Sequence, residues 1–198
     1  MFNDRTSLLA YLSSRRSGKG LEMVAPGPNE QEMREILQIA MRTPDHGKLA
    51  PWRFIEVGDD QRGELSALLK RAWVVANPGA AHLDLSALDQ FARQAPKLVV
   101  MLSTPIVPSK IPLWEQQLSA GAAAMNLLHA AHAFGYVGSW LTGWAAFDPV
   151  VKAAFGGGEA DQIVGYFFFG TASAPLEERP RPDYEAVVSR WTPPTQVN

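Results

Sequence analysis

"WEQQLSAGAAAMNLLHAAHAFGYVGSWLTG", residues 114–143, is the stretch on which the reading of this chain turns. From Trp114 to Phe134 it has the composition of a long, mostly apolar, alanine-rich helix, and its run "AGAAAMNLLHAAHAFG" is interrupted by Asn126, His129 and His132. A surface helix shows one apolar stripe, whereas a helix apolar all round is buried on most sides. That apolarity is too much for the surface of a monomer, and the small residues let another helix come close. An obligate homodimer is therefore expected, with an interface above about 2,000 Å². After the helix, "GYVGSWLTGW" reads as a short strand and a turn.

The flanking segments supply the layers around that helix. Thr6 or Ser7 caps a first helix carrying Leu8, Leu9 and Leu12 on one face, and Gly18 and Gly20 in "RRSGKG" stop it. Asn29 caps a second helix, "EQEMREILQIAMRT", with Met33, Ile36, Leu37, Ala40 and Met41 in a stripe and Pro44 at its end. "WRFIEVG" alternates as a strand, and "DQRGELSALLKRAWVVA" is helical. Residues 77–88 are rich in small side chains and follow no clear period. "KLVVMLS" reads as a buried strand, 104–113 as a proline loop, and "DPVVKAAFG" as a short helix with Asp148 as cap. "DQIVGYFFFGTA" is a strong strand. Interleaved helices and strands predict an α+β fold in one domain over residues 1–198, with 172–198 as an extended, proline-rich arm.

Composition narrows the function classes. The 198 residues are 46% hydrophobic and 19% charged with a formal net charge of -2, so a real core is expected and a nucleic-acid surface is not. The absence of cysteine removes disulfides, thiolate catalysis and Cys-ligated zinc. No apolar run reaches the roughly 18 residues that a membrane helix needs. The N-terminus lacks a secretory pattern, so the expected location is the cytoplasm. The G-x-G-x-x-G fingerprint, the Walker A loop and the G-x-S-x-G elbow are all missing.

Four clusters carry candidate chemistry. "RRSGK", Arg15 to Lys19, gathers three cations and a hydroxyl where guanidinium forks bind phosphate; the plain alternative is a basic helix C-terminus. "RTPDHGKLAPWRF", residues 42–54, sets Arg42, His46, Lys48 and Arg53 around two prolines, and burying those cations would need anionic partners. In "GSWLTG", residues 138–143, the glycines let a flat ligand approach the backbone, although Trp140 alone reads as core. His129 and His132 sit at i and i+3 with no Glu-x-x-His context, so hydrogen-bonded helix histidines are favoured over a metal site.

In order and separation, "RRS", "RTPDHGKLAPWRF", "WEQQLSAGAAAMNLLHAAHAFGYVGSWLTG" and "VVKAAFG…DQIVGYFFFGT" resemble the nitroreductase family, in particular its short NAD(P)H-dependent branch. The likeness runs to about residue 172. It implies a central, mainly antiparallel sheet flanked by helices in an intertwined homodimer, with two FMN molecules at the subunit interface and NAD(P)H as co-substrate. On this resemblance, Arg15, Arg16 and Ser17 hold the phosphate and ribityl side of FMN, and Lys19 lies near the pyrimidine edge. Arg42 and His46 reach the same FMN from the other subunit with Pro44 beside them, and Trp140, Leu141 and Thr142 line the isoalloxazine or its loop. A cation by the pyrimidine edge favours the negatively charged reduced flavin. The branch often has arginine where Leu141 stands, so one cation is lost. Arg179 and Arg181 carry no assigned role.

The implied activity is hydride transfer from NAD(P)H through FMN to a nitroaromatic, a quinone or a similar acceptor, with no side chain named as acid or base. A flavin-binding carrier or sensor without turnover is the alternative, and Leu141 is its only support. A metal hydrolase built on His129 and His132 is a third reading.

Overall fold

The computed structural model describes residues 1–79 and 82–193, and of residue 83 the backbone only. In chain order the elements are α1 (Leu8–Ser14), β1 (Met23–Val24), α2 (Glu30–Ala40), β2 (Trp52–Val57), α3 (Arg62–Ala76), α4 (His82–Arg93) and β3 (Lys97–Ser103). They continue with α5 (Leu113–Ala133), β4 (Val137–Leu141), α6 (Pro149–Ala154), β5 (Gln162–Ala172) and α7 (Tyr184–Val187). β5 pairs antiparallel with β3 and β4, and its far end pairs with β1; β2 pairs antiparallel with β3. The expected antiparallel sheet with flanking helices is what forms.

Both faces of the sheet are covered, and strand alternation divides the core in two. Leu98, Val100, Leu102, Tyr166 and Phe168 pack on the side of α3 and α6. Val99, Met101, Phe167 and Phe169 pack on the side of α2 and α5. Tyr166 to Phe169 are all fully buried, so the run "YFFF" feeds both layers alternately. Burying a side chain of the Phe class contributes about 1.5–3 kcal/mol, and four adjacent rings make β5 the centre of the molecule.

Local signals set the helix ends. Asn29 Oδ1 accepts the Glu32 N–H at 2.9 Å while Glu32 Oε2 accepts the Asn29 N–H at 2.9 Å, a complete capping box. α2 stops at Ala40, earlier than Pro44, because the residue before a proline avoids helical geometry. The Thr43 hydroxyl donates to the freed Ala40 carbonyl at 3.0 Å. Asp148 caps α6 as expected, accepting from the Val150 and Val151 N–H groups. The patternless stretch 77–88 contains the start of α4, and its residues 80 and 81 lie outside the described ones.

Two helices keep apolar side chains that this chain leaves uncovered. On α1 only Tyr11 is buried, and Leu8, Leu9 and Leu12 point outward. On α5, Ala120, Ala123, Ala124, Leu127 and Ala131 are buried against the sheet and α2, yet Trp114 and Leu118 are 67% and 53% exposed. The physical reason is the same in both places, since this chain offers neighbours to only one side of each helix. Residues 177–193 lie exposed along the outside, with the single turn α7 among them.

Candidate functional site

The Arg15–Lys19 segment is fixed by its backbone. α1 ends at Ser14, and Arg15 turns extended with φ -57° and ψ 125°. Asn3 clasps the next residue, accepting the Arg16 N–H at 2.8 Å and donating to the Arg16 carbonyl at 3.0 Å. The Gly18 N–H donates to the Gly138 carbonyl at 3.1 Å, which lays this segment beside β4. Gly18 is glycine for a packing reason, since a Cβ there would lie 3.2 Å from Val137 and 3.1 Å from Met23.

The cations on this segment have different partners. Arg16 donates to the Glu177 carbonyl at 2.6 Å and stands 3.9 Å from the Glu178 carboxylate. Lys19 pairs with Glu22 at 3.2 Å and Glu177 at 3.3 Å, and those carboxylates raise its pKa. The arm thus lies over the segment and puts its acidic residues against two of the cations. Arg15 donates to the Ser17 hydroxyl at 3.3 Å and, among the described residues, has no carboxylate partner. Burial, with Arg181 and Arg16 nearby, lowers its pKa. Neither Arg15 nor Arg16 donates a side-chain bond to the carbonyls of α1 among the described residues, which argues against simple helix capping. A partly buried guanidinium flanked by two others, with a hydroxyl beside it, fits an anion such as a phosphate.

Below Arg15 a polar chain crosses three elements. The Tyr11 hydroxyl lies 2.7 Å from His129 Nδ1 and 3.0 Å from His132 Nδ1, and the Gly138 N–H donates to His132 Nε2 at 3.1 Å. Burial pushes His132 down to about 3 and Tyr11 up to about 12. The histidines are therefore hydrogen-bonded rings, and among the described residues no group of three His, Asp or Glu could hold a metal ion.

β4 carries the third cluster. Trp140 stacks at a tilt on Phe167, ring centroids 5.2 Å apart, and its Nε1–H donates to the Val164 carbonyl at 2.9 Å. Gly165 makes room for it, because a Cβ there would collide with the indole. Leu141, the next residue, turns to the other face and packs on the core beneath α3. This leucine is half-buried against that core. Thr142 and Gly143 border a cavity of about 330 Å³ with Trp73, Phe91 and Trp144.

The loop after α2 lies elsewhere. Ser119 donates to the Pro44 carbonyl at 2.6 Å, Asn126 donates to the Arg42 carbonyl at 3.1 Å, and His46 Nδ1 meets Glu115 at 2.8 Å. Asp45 accepts the Ala50 N–H at 2.7 Å, and Lys48 and Ala50 both take positive φ. Arg42, Pro44 and His46 are thus strapped along the N-terminal and middle turns of α5. Arg15 lies near His129 and His132 at the other end. At 1.5 Å per residue, Glu115 and His129 are about 21 Å apart along that helix. One chain ties the Arg15–Lys19 segment to β4 at Gly138, while His46 lies at the other end of α5.

A model described as "Nitroreductase family" matches residues 12–171. The protein "Putative NAD(P)H nitroreductase YdjA" of Escherichia coli K12 is 35% identical over 163 residues, covering 82% of this chain and 87% of its own. A nitroreductase-like family protein from Bacillus cereus superposes with a TM-score of 0.78 at 18% identity, over 93% of this chain and 95% of that one. An FMN and NADPH-dependent nitroreductase, NfnB from Sphigopyxis sp. strain HMH, superposes with a TM-score of 0.67 at 17% identity, over 90% and 95%. At such identities the superpositions speak for the fold alone.

Proposed function

The chain belongs to the nitroreductase family, and on that premise we propose that it is an FMN-dependent oxidoreductase working as a homodimer. Bound FMN supplies the redox chemistry, taking hydride from NAD(P)H and passing reducing equivalents to a nitroaromatic, a quinone or a similar acceptor. The observation that carries the reading is Arg15, a partly buried cation with a hydroxyl beside it, two guanidiniums near it and, among the described residues, no carboxylate on it. It sits where Gly18 ties its segment to the strand bearing Trp140.

The chain's own residues divide the work. Arg15, Arg16 and Ser17 hold the phosphate and ribityl side, and Lys19 supplies a cation at the pyrimidine edge. Trp140 and Thr142 border the ring on the β4 side, where the backbone at Leu141 also runs. Arg42, Pro44 and His46 come from the second subunit, a reading supported by the place of His46 at the far end of α5 from Arg15 within one chain. The outward leucines of α1 and the outward Trp114 and Leu118 of α5 supply the apolar surface that the second copy covers. A cytoplasmic location is in keeping with a nicotinamide co-substrate that is kept reduced there.

Purified protein is expected to be yellow, to hold about one FMN per chain, and to oxidise NAD(P)H when given a nitroaromatic or quinone. Protein that takes up no FMN would overturn the cofactor. Protein that binds FMN but turns over no acceptor would leave a flavin carrier.

A further inference from the structure

We propose that His129 belongs to the phosphate-binding set, its Nε2–H donating to the same phosphate as Arg15; the proposal rests on the FMN reading above. The argument begins at a main-chain amide, which has only one role. The Gly138 N–H donates to His132 Nε2 at 3.1 Å, so that nitrogen carries no proton and the proton of the neutral ring is on Nδ1. The proton on His132 Nδ1 is then donated to the Tyr11 oxygen at 3.0 Å. Tyr11 spends its own hydroxyl proton on His129 Nδ1 at 2.7 Å. His129 in turn keeps its proton on Nε2, and among the described residues that N–H meets no acceptor. One backbone amide thereby sets the tautomer of a ring three hydrogen bonds away.

Position and charge point the free N–H to an anion. Tyr11 lies one helical turn before Arg15, so the ring it anchors stands close to that guanidinium. Burial and then the Arg15 cation lower the pKa of His129, which keeps it neutral. A neutral N–H adds a donor without adding a repelling charge, and a phosphate oxygen accepts from it and from Arg15 together. The nearby carboxylates, Glu177 and Glu178, face Arg16, Lys19 and Arg181 instead.

Two substitutions separate the donor from the anchor. His129→Asn keeps an acceptor near Nδ1 for Tyr11 and removes the donor at Nε2. His129→Gln reaches the Nε2 position with an amide N–H. The full-length chain, freed of flavin, is titrated with FMN and with riboflavin, which lacks the phosphate, by fluorescence quenching. His129→Asn is expected to weaken FMN about tenfold or more and leave riboflavin unchanged, and His129→Gln to recover most of the loss. Inorganic phosphate should compete with FMN and not with riboflavin. Unchanged FMN affinity in His129→Asn, or equal losses for both flavins, overturns the assignment while the FMN reading stands. A wild-type chain that binds neither flavin overturns both.

Discussion

Replacing Arg15 by alanine separates a ligand contact from a structural one. In the free chain its guanidinium makes one described hydrogen bond, the 3.3 Å contact to Ser17, so the fold without flavin should change by no more than about 0.5 kcal/mol. With FMN bound, the same group makes a charge-assisted contact to the phosphate. Such bonds contribute about 1.5–3 kcal/mol, so Arg15→Ala should weaken FMN by roughly one to two powers of ten. Arg15→Lys keeps the charge and loses the fork, and should fall between. Ligand linkage amplifies the difference in a thermal melt. At an FMN concentration of about 100 Kd the wild type gains about 2.7 kcal/mol, whereas a variant bound a hundredfold more weakly gains about 0.4 kcal/mol at the same concentration. The assay is flavin fluorescence quenching for Kd, with melts at zero and saturating FMN. Equal FMN affinity in wild type and Arg15→Ala would refute the reasoning, as would a large loss of stability that FMN fails to restore.

Further outcomes follow from other elements. Leu118→Lys on the outward stripe of α5, or Leu12→Asp on α1, should give monomers in light scattering, because both side chains project away from their own core. Tyr11→Phe leaves the Nδ1 atoms of His129 and His132 without their partner, and should cost about 1–3 kcal/mol in denaturant unfolding. Since His132 is held from 6.5 down to about 3 by burial, the unfolded chain binds more protons between those values. Its contribution to stability is complete above pH 6.5 and is lost as pH falls from there toward 3, with a slope of up to about 1.4 kcal/mol per pH unit for this one group. Urea melts of wild type that stay flat from pH 7 to 4 would contradict that.

Much of this was legible because it is local. The Asn29 cap, the Asp148 cap and the strand that holds "YFFF" each need only neighbours in sequence. The clusters at Arg15–Lys19 and Trp140–Thr142 were legible as residue types, and the sheet joins them through Gly18 and Gly138. What escaped the sequence depends on distant partners. Tyr11 meets a histidine 118 positions away, and Arg16 meets Glu177 161 positions away, so neither pairing leaves a local pattern. Strand alternation turns the half-buried Leu141 side chain to the face opposite Trp140, a contact with the core that its own sequence neighbours do not reveal. The leucines of α1 share a face in the sequence, yet a period shows which residues share a side, not which chain covers that side.

The claim at the centre is that one FMN site takes Arg15 from one chain and Arg42 and His46 from the other. Two variants, Arg15→Ala and the double Arg42→Ala with His46→Ala, are each expected to bind FMN weakly. Co-expressed with different tags and purified as the mixed dimer, they form one site that carries all the substitutions and one that carries none. The account predicts about one tightly bound flavin per mixed dimer, with the wild-type Kd. A mixed dimer that binds no better than its parents would place all these residues in a site within a single chain and contradict the account.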